Sequence, residues 1–212
     1  MQQLYPDLWQ TQVENPFSDL NTHAYLLQRP QGNLLIYNSS HPQELDHMEQ
    51  LGGFTHQLLS HRHEYGENIA ELRTRFRSKL CCDAWEAEAM EAQSTIDITF
   101  GPDDGIIEDL YIVRTPGHTR GGLCYLYDSP HGKRYLFTGD SFYLNHGEWS
   151  TIVIEKDGGN AKVLAESLEK LQNFVPDVVF SSASVGDESY ATTKTPAWQQ
   201  ALTRQIMRLN RS

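Results

Sequence analysis

Three histidines and an aspartate are the residues of this chain whose types and spacing point to chemistry. His61 and His63 stand two residues apart, directly after a strand predicted at residues 57–60. In extended chain, side chains at positions i and i+2 project from the same side, so these two imidazoles can face one ion. Taken separately, either histidine is more typical of an ordinary surface or core residue.

The third histidine and the aspartate follow the ends of two later predicted strands. His118 lies in T-P-G-H-T, residues 115–119, where proline and glycine favour a tight turn that presents the imidazole at a strand end. Asp140 ends an apolar run as the last residue of F-T-G-D, residues 137–140. A solvent-exposed turn histidine and a capping aspartate would account for each placement when it is considered alone.

In this order and at this spacing, the three motifs resemble the metal-binding motifs of the metallo-β-lactamase superfamily, which includes hydrolases similar to glyoxalase II. The resemblance covers nearly the whole chain, since residues 21–27 and 161–180 also suit that fold. It implies an α/β fold, a four-layer αββα sandwich in a single domain over residues 1–212, with the metal at one edge of the paired sheets. The metal ligands that it implies are His61, His63, His118 and Asp140.

The chain departs from the superfamily's pattern at three positions. The usual first motif is H-x-H-x-D-H, but Tyr65 stands in place of its aspartate and Gly66 in place of its last histidine. A late histidine expected after the last core strand is also missing, and Ala183 stands at or near its position. Because every departure falls on the second metal position, we expect a degenerate second site and one retained ion.

Three imidazole nitrogens and one carboxylate oxygen suit a divalent ion, zinc above all, with iron or manganese if water expands the shell. The catalytic group beside such an ion stays unassigned. Tyr65 is a poor base near neutrality, because the reference pKa of a phenol is about 10, although it can donate a hydrogen bond to an oxyanion. Glu64 is one residue out of register with the missing aspartate, and we expect an exposed glutamate near a helix start.

The resemblance implies a metal-dependent hydrolase, in which metal-bound hydroxide attacks an ester, thioester or amide-type bond of a small-molecule substrate. The alternative is a non-catalytic protein in which the metal staples the sheet edges and the cleft binds a ligand. The missing aspartate favours this alternative, as does the count of four protein ligands, which is typical of structural sites. An oxygenase-type iron site on the same fold is a third hypothesis.

The charge of the chain bears on its partners. It has 17 Lys+Arg and 28 Asp+Glu, so the formal net charge is 17 − 28 = −11. A surface of this sign repels phosphate backbones and anionic lipids, which argues against nucleic acid, including a nuclease activity, and against a membrane surface. The sequence does not indicate an oligomeric state.

Several polar residues outside the motifs are weaker candidates. His23 could edge the cleft and His146 could line it or donate a replacement ligand, although we expect ordinary structural and surface roles. Hydroxyl and carboxylate groups follow the last core strand near the degenerate position, and we expect no nucleophile–base pair among them: Ser181, Ser182, Ser184, Asp187 and Glu188.

Hydrophobic spacing predicts the elements that must position these residues. Strands are predicted at residues 24–27, 34–37, 57–60, 97–100, 110–113, 123–127, 135–137 and 178–180, and helices after residue 42, from residue 69, and at 161–174 and 195–209. Strands in runs, with helices between and after them, predict sheets covered by helices. The three cysteines have no disulfide or metal spacing, and no export signal is recognisable, so we expect packed, reduced thiols in a cytoplasmic protein.

Overall fold

The computed structural model describes residues 1–90, 95–103 and 105–211. The first half of the chain forms the following elements: β1 (Gln2–Tyr5), β2 (Leu8–Gln10), β3 (Glu14–Phe17), β4 (Leu20–Thr22), β5 (Tyr25–Leu27), β6 (Leu34–Ile36), α1 (Pro42–Gln50), β7 (His56–Leu58), α2 (Ile69–Phe76), β8 (Lys79–Asp83), α3 (Ala84–Met90) and β9 (Ile98–Phe100). The second half forms these: β10 (Gly105–Ile107), β11 (Leu110–Arg114), β12 (Leu123–Asp128), β13 (Arg134–Gly139), β14 (Tyr143–Asn145), β15 (Glu148–Ser150), α4 (Ala161–Leu171), β16 (Val178–Ser181), β17 (Ala183–Ser184), β18 (Tyr190–Thr192) and α5 (Thr195–Leu209).

Two mixed sheets make up the body of the protein. The first has the strand order β1-β2-β5-β6-β7-β8-β9 and is parallel from β6 onward. The second has the order β10-β11-β12-β13-β16-β18, in which only the β13–β16 pair is parallel. A small β17-β4-β3 sheet and the β14–β15 hairpin lie beside them.

Alternating side chains of the second sheet hold the layers together. On β13, Tyr135 and Phe137 join the buried cluster that also contains side chains of the first sheet, whereas Leu136 joins the cluster formed with α4 and α5. Successive strand residues face opposite sides, so each strand contributes to both interfaces. Helices α1, α2 and α3 pack on the first sheet through buried apolar residues such as Leu45 and Ile69. The predicted αββα arrangement is therefore confirmed.

The predicted elements are present with small differences at their ends. Helix α5 has the predicted bounds, and α4 ends at Leu171, three residues before the predicted end. The unpredicted elements are α3 and a set of short strands that lack a long apolar run: β1 to β4, β8, β10, β14, β15, β17 and β18. Such strands form because neighbouring chain supplies their hydrogen-bond partners, which local spacing does not reveal.

Two further observations concern the helices and the thiols. In the described part of the chain, no helix combines the length and apolarity needed to cross a bilayer. Cys81, Cys82 and Cys124 are buried, and none of them forms a disulfide within the described chain. The expectation that the thiols serve as packing residues is confirmed.

Glycine at position 117 allows the T-P-G-H-T turn to lie against the start of α4. Gly117 has φ +123°, and a Cβ added there would lie 2.3 Å from the backbone nitrogen of Leu164 and 2.4 Å from its Cα. The Gly117 carbonyl accepts a hydrogen bond of 2.9 Å from the backbone N–H of Asn160. Any larger residue would push the turn, and His118 with it, away from α4.

We predict that Gly117→Ala lowers the free energy of unfolding by more than about 2 kcal/mol, because both the backbone conformation and the contact with α4 oppose a methyl group. The matched control is Gly132→Ala, at φ +79° with nothing within 4 Å of an added Cβ. Backbone strain alone should cost this control about 1 kcal/mol. Urea denaturation measures the free energy of unfolding of both variants, and an equal decrease in the two would mean that the contact with α4 contributes nothing.

Candidate metal centre

His61 and His63 reach the cleft from the chain that follows β7. His61 has extended backbone, with φ −159° and ψ 170°, and a short 3-10 turn spans Arg62–Glu64. The two imidazoles therefore approach each other through a turn, and the predicted arrangement in fully extended chain is wrong. A single 3-10 turn brings residues i and i+2 close without requiring a regular strand.

His118 and Asp140 arrive from the second sheet, as the strand-end prediction requires. His118 lies in the loop between β11 and β12, which is closed by a hydrogen bond of 2.8 Å from Thr115 N–H to the Gly122 carbonyl. Asp140 directly follows Gly139, the last residue of β13, where an added Cβ would lie 2.1 Å from the Ser60 hydroxyl oxygen. This close approach brings the end of β13 to the segment that carries His61.

The three histidines converge on one point. Their ring centroids lie 4.7 Å apart for His61 and His118, 5.2 Å for His61 and His63, and 5.7 Å for His63 and His118. One nitrogen of each ring lies within 4.8 Å of the other two. Zinc–nitrogen bonds are about 2.0–2.1 Å long, so small side-chain movements would let all three bind one ion.

Hydrogen bonds to the protein decide which nitrogens face that point in His61 and His118. The Ser60 hydroxyl donates to Glu64 at 2.5 Å, so its oxygen accepts the N–H of His61 Nδ1, 2.9 Å away. His118 Nδ1 donates to the Ile152 carbonyl at 2.9 Å. The remaining nitrogens, Nε2 of His61 and Nε2 of His118, are buried without a hydrogen-bond partner.

In His63 the two ring nitrogens have the opposite roles, because Nε2 and not Nδ1 is hydrogen-bonded to the protein. Its Nε2 donates to Asp157 Oδ2 at 2.9 Å, which leaves Nδ1 for the shared point. Metal-binding histidines usually donate their other N–H to a carboxylate or carbonyl, which sets the tautomer and the ring orientation. The buried, unpartnered Nε2 atoms of His61 and His118, together with Nδ1 of His63, fit a divalent metal ion.

Glu64 is not the exposed residue that the sequence predicts. Its side chain is 6% exposed, and its two oxygens accept hydrogen bonds from the Ser60 hydroxyl and from the Ser60 backbone N–H, the latter at 2.6 Å. One of these oxygens also lies 3.3 Å from His61 Nδ1. The side chain turns inward because Ser60 offers two donors at the start of the turn, and Glu64 thereby orients His61.

Carboxylates give the site a negative potential. Burial lowers the pKa of His61, but the charges of Glu64 and Asp140 outweigh burial and raise this pKa to about 9. Burial and the neighbouring His61 lower the pKa of His118 to about 4. Burial also opposes the charge of Asp140, yet His61 and His118 hold the pKa of this carboxyl below its ordinary value. The site favours one positive charge beside Asp140, as a bound cation requires.

Asp140 has different partners at its two oxygens. Oδ1 accepts a hydrogen bond of 2.5 Å from the Ser182 hydroxyl. Oδ2 lies 3.6 Å from His61 Nε2 and 4.0 Å from His118 Nε2. Sequence reasoning placed Ser182 near the degenerate position without assigning it a partner, and the structure supplies one.

The remaining residues at the degenerate position do not reconstruct a second set of ligands in the described chain. Tyr65 lines the cleft and packs against the apolar cluster of Leu59, Ile69 and Leu80. Gly66 and Ala183 also line the cleft, and neither offers a ligating side chain. Among the residues that the structure describes, the group able to hold one ion consists of the three histidines alone.

A buried carboxylate that sequence reasoning missed joins the two histidine loops. Glu86, on α3, accepts hydrogen bonds from Arg62 through its backbone N–H at 3.0 Å and its guanidinium at 2.6 Å. Its other oxygen accepts from the Gly121 N–H at 2.6 Å and the Thr119 hydroxyl at 3.0 Å. No motif or spacing links Glu86 to either loop, so only the fold reveals this clamp.

The candidate metal centre lies between two adjacent cavities, which we call the acidic lobe and the apolar lobe and which share the lining residues Phe17, Leu20, His63, Asp140 and Ala183. The acidic lobe, about 610 Å³, is lined by His61 and by four carboxylates: Glu14, Glu64, Glu67 and Asp140. The apolar lobe, about 560 Å³, adjoins His118 and contains the following apolar side chains and one lysine: Phe17, Leu20, Tyr143, Ile152, Ile154, Val185 and Lys156. His63 and Asp140 line both lobes, so the site opens onto the cleft.

The weaker candidates lie near the cleft or beside it. His23 lines the acidic lobe and bonds through Nδ1 to the Thr11 carbonyl at 3.0 Å, so it both edges the cleft and serves the structure. His146 occupies the turn of the β14–β15 hairpin. The hydroxyl and carboxylate residues that follow the last core strand differ in their positions. Ser181 and Ser184 are buried, whereas Asp187 and Glu188 are exposed and line a different cavity.

We predict that Glu86→Gln weakens zinc binding roughly 10–100-fold, because the two loops lose the charge that holds them together. Glu88→Gln is the matched control on the same helix, since the Glu88 side chain is 78% exposed. Competition with a chromophoric chelator measures both affinities. An unchanged affinity in Glu86→Gln would show that the loops hold their geometry without the clamp.

We predict that the stability contributed by Glu86 disappears in acid. Burial raises the pKa of Glu86, but hydrogen bonds from Arg62 and Gly121 outweigh it and lower this pKa below 4.5. A lowered folded-state pKa gives stability that is present above the ordinary value and lost as the pH falls through the folded-state value. Wild type should exceed Glu86→Gln by about 2 kcal/mol in free energy of unfolding at pH 7, and this difference should shrink as the pH falls through the lowered folded-state pKa of Glu86. A difference in free energy of unfolding between wild type and Glu86→Gln that does not change with pH would contradict this prediction.

The chain is similar to known proteins in structure, while its sequence matches none of the family models or curated proteins. A metallo-β-lactamase from Pontibacter korlensis superimposes with a TM-score of 0.73 at 16% identity, covering 100% of this chain and 98% of that one. A metallo-β-lactamase from Hirschia baltica superimposes with a TM-score of 0.73 at 12% identity, covering 98% of this chain and 95% of that one.

A metallo-β-lactamase from Cronobacter sakazakii, described by its HARLDQ motif, gives a TM-score of 0.65 at 16% identity and covers 95% of this chain and 97% of that one. The HARLDQ motif departs from H-x-H-x-D-H at its third and last positions, whereas residues 61–66 of this chain, HRHEYG, depart at the fifth and last. Identities this low establish architecture and leave the reaction open. The chain has the metallo-β-lactamase fold.

Proposed function

We propose that this protein is a metal-dependent hydrolase with one ion, held by His61, His63 and His118. The observation that carries the proposal is the pairing of each imidazole: one nitrogen is hydrogen-bonded to the protein, and the other faces the shared point. Imidazole ligands oriented in this way suit zinc best, and iron or manganese is compatible with the same donors. An ion in this place would supply Lewis acidity toward a carbonyl oxygen and lower the pKa of water.

The open cleft favours catalysis over a purely structural metal. Both lobes reach the histidines, and the His63 side chain is 39% exposed. A catalytic site keeps a position for water or substrate, whereas a structural site is enclosed by protein. We infer that a carbonyl compound can reach the ion from either lobe.

Asp140 is the residue to which we assign the proton of the attacking water. Its Oδ2 faces the converging nitrogens, and Ser182 holds its Oδ1 at 2.5 Å. The same carboxylate would complete or tune the ligand shell. Tyr65, which lines the acidic lobe, offers a phenolic O–H to a developing oxyanion.

A single ion agrees with how the degenerate position is filled. The Asp140 oxygen turned away from the histidines already accepts the Ser182 hydroxyl, and Gly66 and Ala183 offer no ligand there. A second ion would have to displace this hydrogen bond and find other donors. We therefore expect one metal per chain.

The alternative function is a non-catalytic binding protein stapled by its metal. The proximity of Asp140 to two histidines favours it, because four protein ligands can close a tetrahedral shell. This protein would hold the same ion and bind ligands in the cleft without turning them over. Turnover of activated esters or thioesters separates the two functions.

We predict that elemental mass spectrometry finds one zinc per chain in wild type, and that His118→Ala loses it on dialysis. His131→Ala, which removes an exposed histidine outside the cleft, should keep the ion. Only the proteins that retain metal should hydrolyse aryl esters or thioesters. Two ions per chain would contradict the single site, and a bound ion without any turnover would support the stapled binding protein.

A further inference from the structure

We propose that the apolar lobe selects substrates that carry, on one side of the scissile bond, an apolar chain ending in a carboxylate, which Lys156 binds. This inference rests on the proposed hydrolase function, because the metal centre at the junction of the lobes defines where the scissile bond lies. Apolar side chains line both lobes, but Glu14, Glu64 and Glu67 line only the acidic lobe and Lys156 lines only the apolar lobe. This difference in charge gives the cleft a direction.

The apolar lobe exposes large hydrophobic side chains that a ligand would cover. Ile152 is 42% exposed and lines this lobe together with Tyr143 and Val185, while Phe17, which is 73% exposed, lies where the two lobes meet and lines both. Removing such surface from water favours binding in proportion to the apolar area covered. A flexible hydrocarbon or aromatic chain meets this requirement, whereas a strongly polar group does not.

Lys156 supplies a positive charge on the wall of the apolar lobe. It lies in the short turn Glu155–Asp157, and its side chain is exposed. The neighbouring Asp157 carboxylate accepts the His63 hydrogen bond. Among the described residues that line either lobe, Lys156 is the one lysine, and no arginine lines them. An anionic end group therefore finds its complementary charge here.

The acidic lobe excludes the opposite orientation. Glu14, Glu64 and Glu67 line this lobe and not the apolar lobe, and a carboxylate placed there would meet like charges. Like-charge contacts impose specificity by raising the free energy of the wrong arrangement. The anionic end of a substrate accordingly points away from the acidic lobe, toward Lys156.

Binding of two unreactive probes to the zinc-loaded protein tests the inference directly. 4-Phenylbutanoate and 4-phenylbutan-1-ol share the apolar part and differ in the charged end. We expect the carboxylate to bind about tenfold more tightly by calorimetry, and Lys156→Gln to remove that advantage. Lys162→Gln is the matched control, since Lys162 is an exposed lysine on α4 that lines neither lobe.

A carboxylate can also bind zinc, so the same titrations are repeated on wild type stripped by a chelator. If 4-phenylbutanoate still binds more tightly than 4-phenylbutan-1-ol without zinc, and this difference in affinity disappears in Lys156→Gln, the inference is supported. If the difference in affinity between the two probes requires zinc and is unchanged in Lys156→Gln, the inference is overturned, because the metal would then bind the carboxylate. Circular dichroism of the stripped protein checks that it remains folded.

Hydrolysis separates this inference from the function on which it rests. The substrates are 4-nitrophenyl hexanoate and the mono-4-nitrophenyl ester of adipic acid, which have six acyl carbons each. We expect kcat/KM to favour the adipate ester about tenfold in wild type and not in Lys156→Gln. Equal hydrolysis of both esters, unchanged in Lys156→Gln, overturns the inference and leaves the hydrolase intact. Carboxylate binding through Lys156 without hydrolysis of either ester overturns the hydrolase and supports the binding site.

Discussion

A buried carboxylate, that of Glu86, joins the two loops on which the candidate metal centre is built. Burying a charge is unfavourable unless it is paired and hydrogen-bonded, and here Arg62, Thr119 and Gly121 provide five hydrogen bonds. The first loop comes from one sheet and carries His61 and His63, while the second comes from the other sheet and carries His118. The convergence of the imidazoles depends on this connection between sheets.

Hydrogen bonds among protein groups surround the candidate metal centre. Ser182 donates to the Asp140 oxygen that faces away from the histidines, and Glu64 turns inward to hold Ser60 and orient His61. The residues that depart from the superfamily's motifs therefore lie beside one group of three histidines that could hold a metal ion. Solved metallo-β-lactamases share this architecture at 12–16% identity, so the chemistry must be argued from these side chains and not from the fold.

Hydrophobic spacing predicted those elements whose buried face lies within a continuous segment. Helix α5 and strands β13 and β16 have their apolar side chains at regular intervals, and they were predicted within a few residues of their ends. Strands such as β3, with the sequence ENPF, contain no such pattern. They pair because β4 lies beside them, and this partner is settled by the packing of the whole chain.

The sequence by itself, through the resemblance of its motifs to those of the superfamily, predicted which residues lie together at the candidate metal centre, and the structure brings the Asp140 carboxylate within 4.0 Å of a ring nitrogen of His61 and of His118. Only the tertiary structure decided how they are held. Asp157 orients His63 and Glu86 clamps the loops across sequence separations of 94 and 24 to 35 residues. Local periodicity describes one segment at a time, whereas these contacts arise where separate segments pack. The inward position of Glu64 has the same origin, since burial is a property of the folded chain.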